Sequence, residues 1–221
     1  MTDAWGVVVA GGSGRRFGGP KQFAPVGGRP VVEWAVLACR AVLDRVVLVV
    51  PEGATGQSFG ADLVVAGGAS RSASVRHGLE AVPADVGAVV VHDAARPLAS
   101  PELFVRVLDA LALPGTGGAI CAVPVTDTLK RVGRPGPAGD GDGSQVVLET
   151  LERAGLVAVQ TPQAFVAEVL RRAHGAGGEA TDDAALVEAT GATVRVVPGD
   201  PRNLKLTGPQ DLPYFEHLLG S

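Results

Sequence analysis

The chain has 221 residues, 46% hydrophobic and 19% charged, with 31 glycines, 16 prolines and a mean hydropathy of +0.26; the glycines gather in particular places, so the composition is that of a folded globular protein and excludes low-complexity disorder. A formal net charge of −4 excludes a global field that would draw in nucleic acid or an anionic membrane surface. The longest apolar runs, such as 46–50, fall far short of the roughly 18–20 residues that cross a bilayer, and the start of the chain lacks the basic and apolar regions of a signal peptide, so a cytoplasmic protein is expected.

Gly6–Ala10 reads as a first strand and runs into Ala10-Gly11-Gly12-Ser13-Gly14-Arg15-Arg16-Phe17-Gly18-Gly19-Pro20-Lys21-Gln22. Glycines beyond the carboxyl end of a first parallel strand let backbone N–H groups approach phosphate oxygens, which makes this loop a candidate phosphate cradle. Two familiar versions of such a loop fail here. A dinucleotide fingerprint needs glycine where Phe17 stands, and a Walker A loop needs Gly-Lys-Ser/Thr, whereas Lys21 follows Pro20 and precedes Gln22. Residues 1–30 carry Arg15, Arg16, Lys21 and Arg29 against Asp3, a local cationic excess in an acidic chain. That excess suits a triphosphate undergoing displacement, where several oxygens must be neutralised at once; it also describes a solvated arginine-rich loop.

Further along, helical spacing over Pro30–Leu43, Ser70–Val82 and Pro101–Leu111 alternates with apolar strands at Val46–Val50, Leu63–Ala66, Ala88–His92 and Ala119–Val123. Ser100 is a candidate N-cap, with Pro101 at the first helical position. Strands that are apolar throughout, alternating with helices, indicate a mostly parallel sheet covered on both faces, an α/β doubly wound fold. Asp93 and Arg96, in His92-Asp93-Ala94-Ala95-Arg96-Pro97, then fall at the carboxyl edge of that sheet. There they can meet a ligand or serve as a turn carboxylate and a surface ion pair.

Residues 132–144 are almost all turn-formers, flanked by short strand patterns at Asp127–Val132 and Gln145–Thr150. The segment after them returns to the earlier helix and strand texture without a core of its own. We therefore expect one domain over 1–221 with a projecting β-arm at about 127–155, of the kind that reaches a partner subunit. Thr181-Asp182-Asp183 before 184–190 is a helix N-cap with acids in the first turn. Thr193–Val197 is a last strand, and Lys205 alternates with apolar residues as a strand-edge lysine would. Cys39 and Cys121 lie in apolar surroundings with no paired Cys or His spacing, as buried free thiols do. The four histidines, His77, His92, His174 and His217, form no cluster and read as structural or exposed.

Taken together, Ala10–Phe17, Pro20-Lys21-Gln22, Gly67-Gly68 with Arg71 and Ser74-Val75, His92–Pro97, Asp127-Thr128, Thr161-Pro162-Gln163, Thr181–Ala184 and Asn203-Leu204-Lys205 resemble the 2-C-methyl-D-erythritol 4-phosphate cytidylyltransferase family. Eight motifs in order span nearly the whole chain. The resemblance implies cytidylyl transfer from CTP to a sugar-alcohol phosphate with release of pyrophosphate, a homodimer built through the β-arm, and a divalent ion, Mg²⁺, held mainly by phosphates with no dedicated protein ligands. It implies catalytic roles for Arg16, Lys21 and Lys205. Ala10, Gly11, Gly12, Gly14, Gly68, Ser74 and Asp93 would bind the nucleotide. Asp93, Arg96, Thr161 and Thr181 would line the acceptor pocket, with Thr128 and Arg153 delivered by the partner's arm.

The chemistry agrees with the lack of a histidine cluster. A phosphate monoester has a second pKa near 6 and is largely dianionic at neutral pH, so the nucleophile needs no general base, and catalysis rests on positioning and charge-assisted hydrogen bonds. Two alternatives stay open: the same transfer to ribitol 5-phosphate, and a CTP-binding sensor that performs no chemistry. A nicotinamide-dependent oxidoreductase is disfavoured by Phe17 and by Pro51, which stands where an acid should close the second strand.

Overall fold

Valine runs pack well on a pleated surface, and here they build the centre of a sheet. The computed structural model describes residues 3–12, 14, 17–133 and 144–220. In chain order these form β1 (Ala4–Val9), the short pair β2 (Pro25–Val26) and β3 (Arg29–Pro30), α1 (Val31–Arg40), β4 (Arg45–Val50), β5 (Leu63–Ala66), α2 (Arg71–Glu80), β6 (Ala88–Asp93), α3 (Pro101–Leu111) and β7 (Thr116–Pro124). There follow β8 (Lys130–Val132), β9 (Val147–Thr150), β10 (Val157–Val166), α4 (Ala167–Gly175), α5 (Asp183–Glu188), β11 (Thr193–Pro198) and α6 (Leu212–Leu219). The chain divides into two compact units, Met1–Ala122 with Val159–Ser221, and Val123–Ala158.

The larger unit is an α/β fold on a seven-stranded sheet in the order β11-β7-β10-β6-β1-β4-β5. β1 runs parallel to both β4 and β6, and Val9 lies opposite Val49 on one side and Asp93 on the other. Alternation along each strand splits the core in two. Val8, Val46, Leu48, Val50 and Val90 face α1 and α3 through Val32, Val36, Cys39, Leu103, Phe104 and Val107. Val7, Val47, Val49, Val89 and Val91 face α2, α4 and α5 through Val75, Leu79, Leu170, Ala184 and Val187. That two-faced burial is what makes the central strands apolar at every position. Cys39 and Cys121 are both free and buried.

One strand departs from the parallel pattern. β10 enters beside β6 in the antiparallel sense, Gln163 opposite Val91. Sequence reading gave it no strand, because Pro162 and two glutamines interrupt its apolar alternation and proline is rare in central strands. The smaller unit contains a hairpin in which β8 and β9 pair antiparallel, Lys130 opposite Thr150 and Arg131 opposite Glu149. Its glycine-rich tip, 134–143, lies outside the described residues.

Candidate active site

The strand order reverses between β1 and β6, and open α/β sheets hold ligands in the crevice at such a point, beyond the carboxyl ends of the strands. Here the loops after β1, β5 and β6, together with Lys205 and Thr207, line a cavity of about 720 Å³. The first loop turns at Gly14, whose φ is +64° and where a Cβ would lie 1.7 Å from the Gly19 carbonyl oxygen; no side chain is possible there. The buried Gln22 side chain donates to Gly12 O at 3.0 Å. Lys21 Nζ donates to Leu206 O at 2.5 Å, tying the loop to the residue beside Lys205. Leu206 itself is buried with Val26, Val31 and Phe215, and its N–H donates to Ala95 O at 2.8 Å. With Leu206 turned into the core, Lys205 and Thr207 on either side of it face the cavity.

The second loop is set by Ser74, whose hydroxyl donates to Ser70 O at 2.8 Å and accepts from Gly68 N–H at 3.1 Å. Ser70 in turn caps α2 by accepting from Ala73 N–H at 3.0 Å. This turn leaves no room for a side chain at Gly68, where a Cβ would sit 2.4 Å from Ala73 Cβ.

Charge concentrates at the end of β6. Asp93 Oδ2 lies 2.6 Å from Lys205 Nζ and Oδ1 lies 3.2 Å from Arg71 Nε. Arg71 Nη1 lies 2.8 Å from Asp183 Oδ2, and Asp183 Oδ1 lies 2.9 Å from His174 Nε2. Burial alone would push the Asp93 carboxyl up, but the Arg71 guanidinium and the Lys205 ammonium outweigh it and hold the group well below the usual carboxylate range. Burial likewise works against the Arg71 cation, and Asp93 and Asp183 more than reverse it, leaving Arg71 firmly protonated.

Beneath Asp93 the hydrogen bonds run in one direction. The Arg96 carbonyl can only accept, so His92 Nε2–H donates to it at 3.2 Å, and His92 Nδ1 is left to accept from the Thr161 hydroxyl at 3.1 Å. Thr161 Oγ1 accepts from Asp93 N–H at 3.0 Å. Burial pushes His92 down to about 4, consistent with this neutral tautomer.

A profile of the 2-C-methyl-D-erythritol 4-phosphate cytidylyltransferase (IspD) family matches residues 5–221. This chain belongs to that family. A cytidylyltransferase of this name from Nocardia farcinica is 45% identical, over 96% of this chain and 92% of the relative. A bifunctional enzyme IspD/IspF from an Anaeromyxobacter species is also 45% identical over 96% of this chain, which spans only 56% of that longer relative. The crystal structure of 2-C-methyl-D-erythritol 4-phosphate cytidylyltransferase from Thermus thermophilus superposes with a TM-score of 0.78 at 38% identity, covering 96% of both chains. The IspD family uses divalent cations.

Of the residues singled out in the sequence, Ala10, Gly11, Gly12, Gly14, Lys21, Gly68, Ser74, Asp93 and Lys205 line this cavity. Arg96 and Thr161 stand behind it. Arg96 Nη1 donates to Asn203 O at 2.6 Å and Nη2 to Val159 O at 3.3 Å, so its guanidinium braces the segment that carries Lys205. Thr181 is exposed, next to Asp182, which caps α5 by accepting from Ala185 N–H at 3.1 Å. Thr128 and Arg153 belong to the smaller unit and are exposed, with Arg153 Nη1 donating to Thr126 O. Arg16 lies outside the described residues. Sequence reading placed Arg71 and Asp183 in the motifs that carry the resemblance, and Asp183 in the first turn of a helix, but gave neither of them, nor Thr207, a part in the site. A signal existed for Arg71, because a cation at the first position of a helix opposes the helix dipole and needs another reason to be there.

Proposed function

We propose that this chain transfers a cytidylyl group from CTP to 2-C-methyl-D-erythritol 4-phosphate, yielding 4-diphosphocytidyl-2-C-methyl-D-erythritol and pyrophosphate, a step of isoprenoid precursor synthesis. The observation that carries the reading is the convergence of two lysines from opposite ends of the chain, Lys21 and Lys205, on one glycine-walled cavity. An oxygen of the acceptor phosphate attacks the α-phosphorus, and the bond from that phosphorus to the bridging oxygen of pyrophosphate breaks. Lys21, Lys205 and Arg16 neutralise the charge that builds on the phosphate oxygens, as preorganised cations do in phosphoryl transfer. The glycine backbone of Ala10–Gly14 cradles the nucleotide, and Gly68 and Ser74 meet the cytosine. Asp93 and Thr181 are assigned to the acceptor side, with Arg96 and Thr161 supporting it from behind, completed by Thr128 and Arg153 of a second subunit.

Mg²⁺ is the ion we assign. Among the described residues no group of three or more His, Cys, Asp and Glu side chains could hold a metal, and Asp93 is the single carboxylate of the cavity lining, already shared by Arg71 and Lys205. That donor set fits an ion carried by phosphate oxygens and water. When bound, the ion offsets phosphate charge.

A homodimer through the β8–β9 hairpin is supported by Val132, Val146, Val147, Leu148, Leu156 and Val157, all exposed apolar residues of the smaller unit, because a two-stranded ribbon is marginal without cover. We assign one nucleotidyltransferase domain over 1–221, with a β-arm at about 127–155. No helix among the described residues is long and apolar enough to cross a membrane, and we place the reaction in the cytoplasm.

The test is pyrophosphate release from CTP and Mg²⁺ with methylerythritol 4-phosphate and ribitol 5-phosphate in parallel. Turnover with the first alone is expected. Turnover with ribitol 5-phosphate alone would overturn the acceptor, and CTP binding without release from either would make the chain a sensor.

A further inference from the structure

The row of charges that starts in the cavity wall, at Lys205, Asp93 and Arg71, and runs back to Asp183 and His174 contains more than one lysine's partner requires. Asp93 divides its two oxygens, one to Lys205 and one to Arg71. Lys205 is the loose end, its side chain 40% exposed, whereas Asp183 and His174 at the other end are 1% and 2% exposed. Both anchors suit their helices. Asp183 opens α5 and His174 sits in the last turn of α4, the positions where the helix dipole favours an acid and a base.

Arg71 is the unusual member. It stands at the first position of α2, against the dipole, held by carboxylates on two different elements. Its Nε already meets Asp93 and its Nη1 makes an ion pair with Asp183 that lacks hydrogen-bond geometry, while Nη2, on the same edge as Nε, is buried with neither a hydrogen bond nor an ion pair among the described residues. A buried donor left without a partner is costly, so this atom calls for an occupant that arrives later. Asp93 Oδ2 is the fitting one, since Nε and Nη2 together can grip a carboxylate through two parallel bonds. Oδ2 becomes available when Lys205 turns to a phosphate.

We propose that Arg71 is a positioning residue that takes over Asp93 when Lys205 leaves it for the nucleotide, and that Asp183 restrains this exchange by holding the far side of the guanidinium. No bond to substrate is involved. Arg71 acts by keeping the buried carboxylate compensated in both states, so that releasing Lys205 does not strand a charge. This deepens the cytidylyltransferase reading and rests on it for the role of Lys205.

The two halves of the Arg71–Asp183 pair then have unequal effects on nucleotide binding, whereas a merely structural ion pair would lose the same from either side. Arg71→Met removes the successor partner and raises the nucleotide KM by about tenfold or more, the equivalent of one charge-assisted hydrogen bond. Arg71→Lys keeps the charge but has no two-donor edge, and raises it by several fold. Asp183→Asn frees the guanidinium for Asp93 and leaves the nucleotide KM unchanged or lower. The measurements are kcat and KM for CTP with Mg²⁺ and methylerythritol 4-phosphate, equilibrium titration with CTP and Mg²⁺, and a thermal melt of each variant.

An increase in KM for both Arg71→Met and Asp183→Asn would overturn the exchange, as would variants that shift only the melting temperature. If Asp183→Asn fails to fold, Arg71→Lys decides: wild-type affinity for CTP in that variant would overturn the two-donor handover. Wild-type protein that binds CTP yet releases no pyrophosphate would defeat the enzymatic reading, and the titrations would still judge the handover.

Discussion

The carboxyl edge of the sheet and the segment 123–158 expose opposite kinds of side chain. At the edge, charged and polar groups are bonded to one another and, Lys205 apart, withdrawn from solvent: Asp93 to Lys205 and Arg71, Thr161 to His92, Gln22 to the Gly12 carbonyl. In the smaller unit the surface carries valines and leucines, with Val146, Leu148 and Val147 more than half exposed. A buried polar network has its geometry fixed within one chain, because every unsatisfied member is costly. An uncovered apolar ribbon has its stability deferred to whatever covers it. We propose nucleotide chemistry for the first region and subunit pairing for the second, and each assignment can be broken separately.

The largest effect belongs to the edge. Lys21→Ala should lower kcat by about a hundred- to a thousandfold, the range seen when one preorganised transition-state partner is removed, with a smaller change in KM for CTP. Near-normal turnover would remove Lys21 from the chemistry. Next comes the hairpin. Arg153→Ala should raise the acceptor KM by about tenfold, one charge-assisted contact, and leave the CTP KM near wild type. Mixing the two impaired variants at an acceptor concentration well below the raised KM discriminates between the regions, since a heterodimer with exchanged arms rebuilds one site with both an intact Lys21 and an intact Arg153. Activity in the mixture above the sum of the parents is expected; its absence would deny that the second region serves the first across subunits.

The regions also differ in how far they could be read from sequence. The central sheet was legible because burial on both faces leaves strands of unbroken valine, as at Val46–Val50. The place of the loop after β1 was legible because glycines beyond a first parallel strand mark the ligand edge of such a sheet, and Gly11, Gly12 and Gly14 do line the cavity. Lys205 was ambiguous by pattern alone, since the fact that decides it, a carboxylate 112 positions away, leaves no periodic trace. Arg71 and Asp183 were hidden for the same reason. Asp183 in the first turn of α5 already had an adequate local explanation in the helix dipole, yet Asp182 is the residue that caps the helix and Asp183 turns inward to Arg71 and His174. β10 was missed because Pro162 breaks the pattern that marks a central strand. Local signals report local roles, and a network assembled from β6, α2, α5 and the segment at 205 has none.

Packing at the edge gives a smaller, sharper test. Gly68→Ala puts a methyl 2.4 Å from Ala73 Cβ and 3.0 Å from the Ala73 carbonyl carbon. The turn must shift, at a cost of about 1–3 kcal/mol, and the Gly68 N–H to Ser74 bond shifts with it. Urea unfolding should show the loss, and CTP affinity should fall with it. An unchanged midpoint and affinity would mean the turn is more yielding than its contacts indicate.

The smallest effect tests whether the buried network at the edge responds to acid as a unit of the folded state. His92 is neutral and pushed down to about 4, against 6.5 in the unfolded chain. Between those values the unfolded state binds more protons than the native state, so stability rises with pH across that window. His92 therefore contributes its full share above about 6.5 and loses it as the pH falls toward 4, by up to about 1.4 kcal/mol per pH unit. Asp93, also held low, adds its own loss only below the ordinary aspartate value of about 3.9, which keeps the upper window for the histidine. His92→Asn cannot titrate there. It should be less stable at pH 7 by about 1–3 kcal/mol, since Thr161 and the Arg96 carbonyl lose well-placed partners, but its urea midpoint should fall less steeply than that of wild type between pH 6.5 and 4.5. Equal slopes would place the acid sensitivity elsewhere and would leave the Asp93–Thr161–His92 chain as packing without a fixed proton.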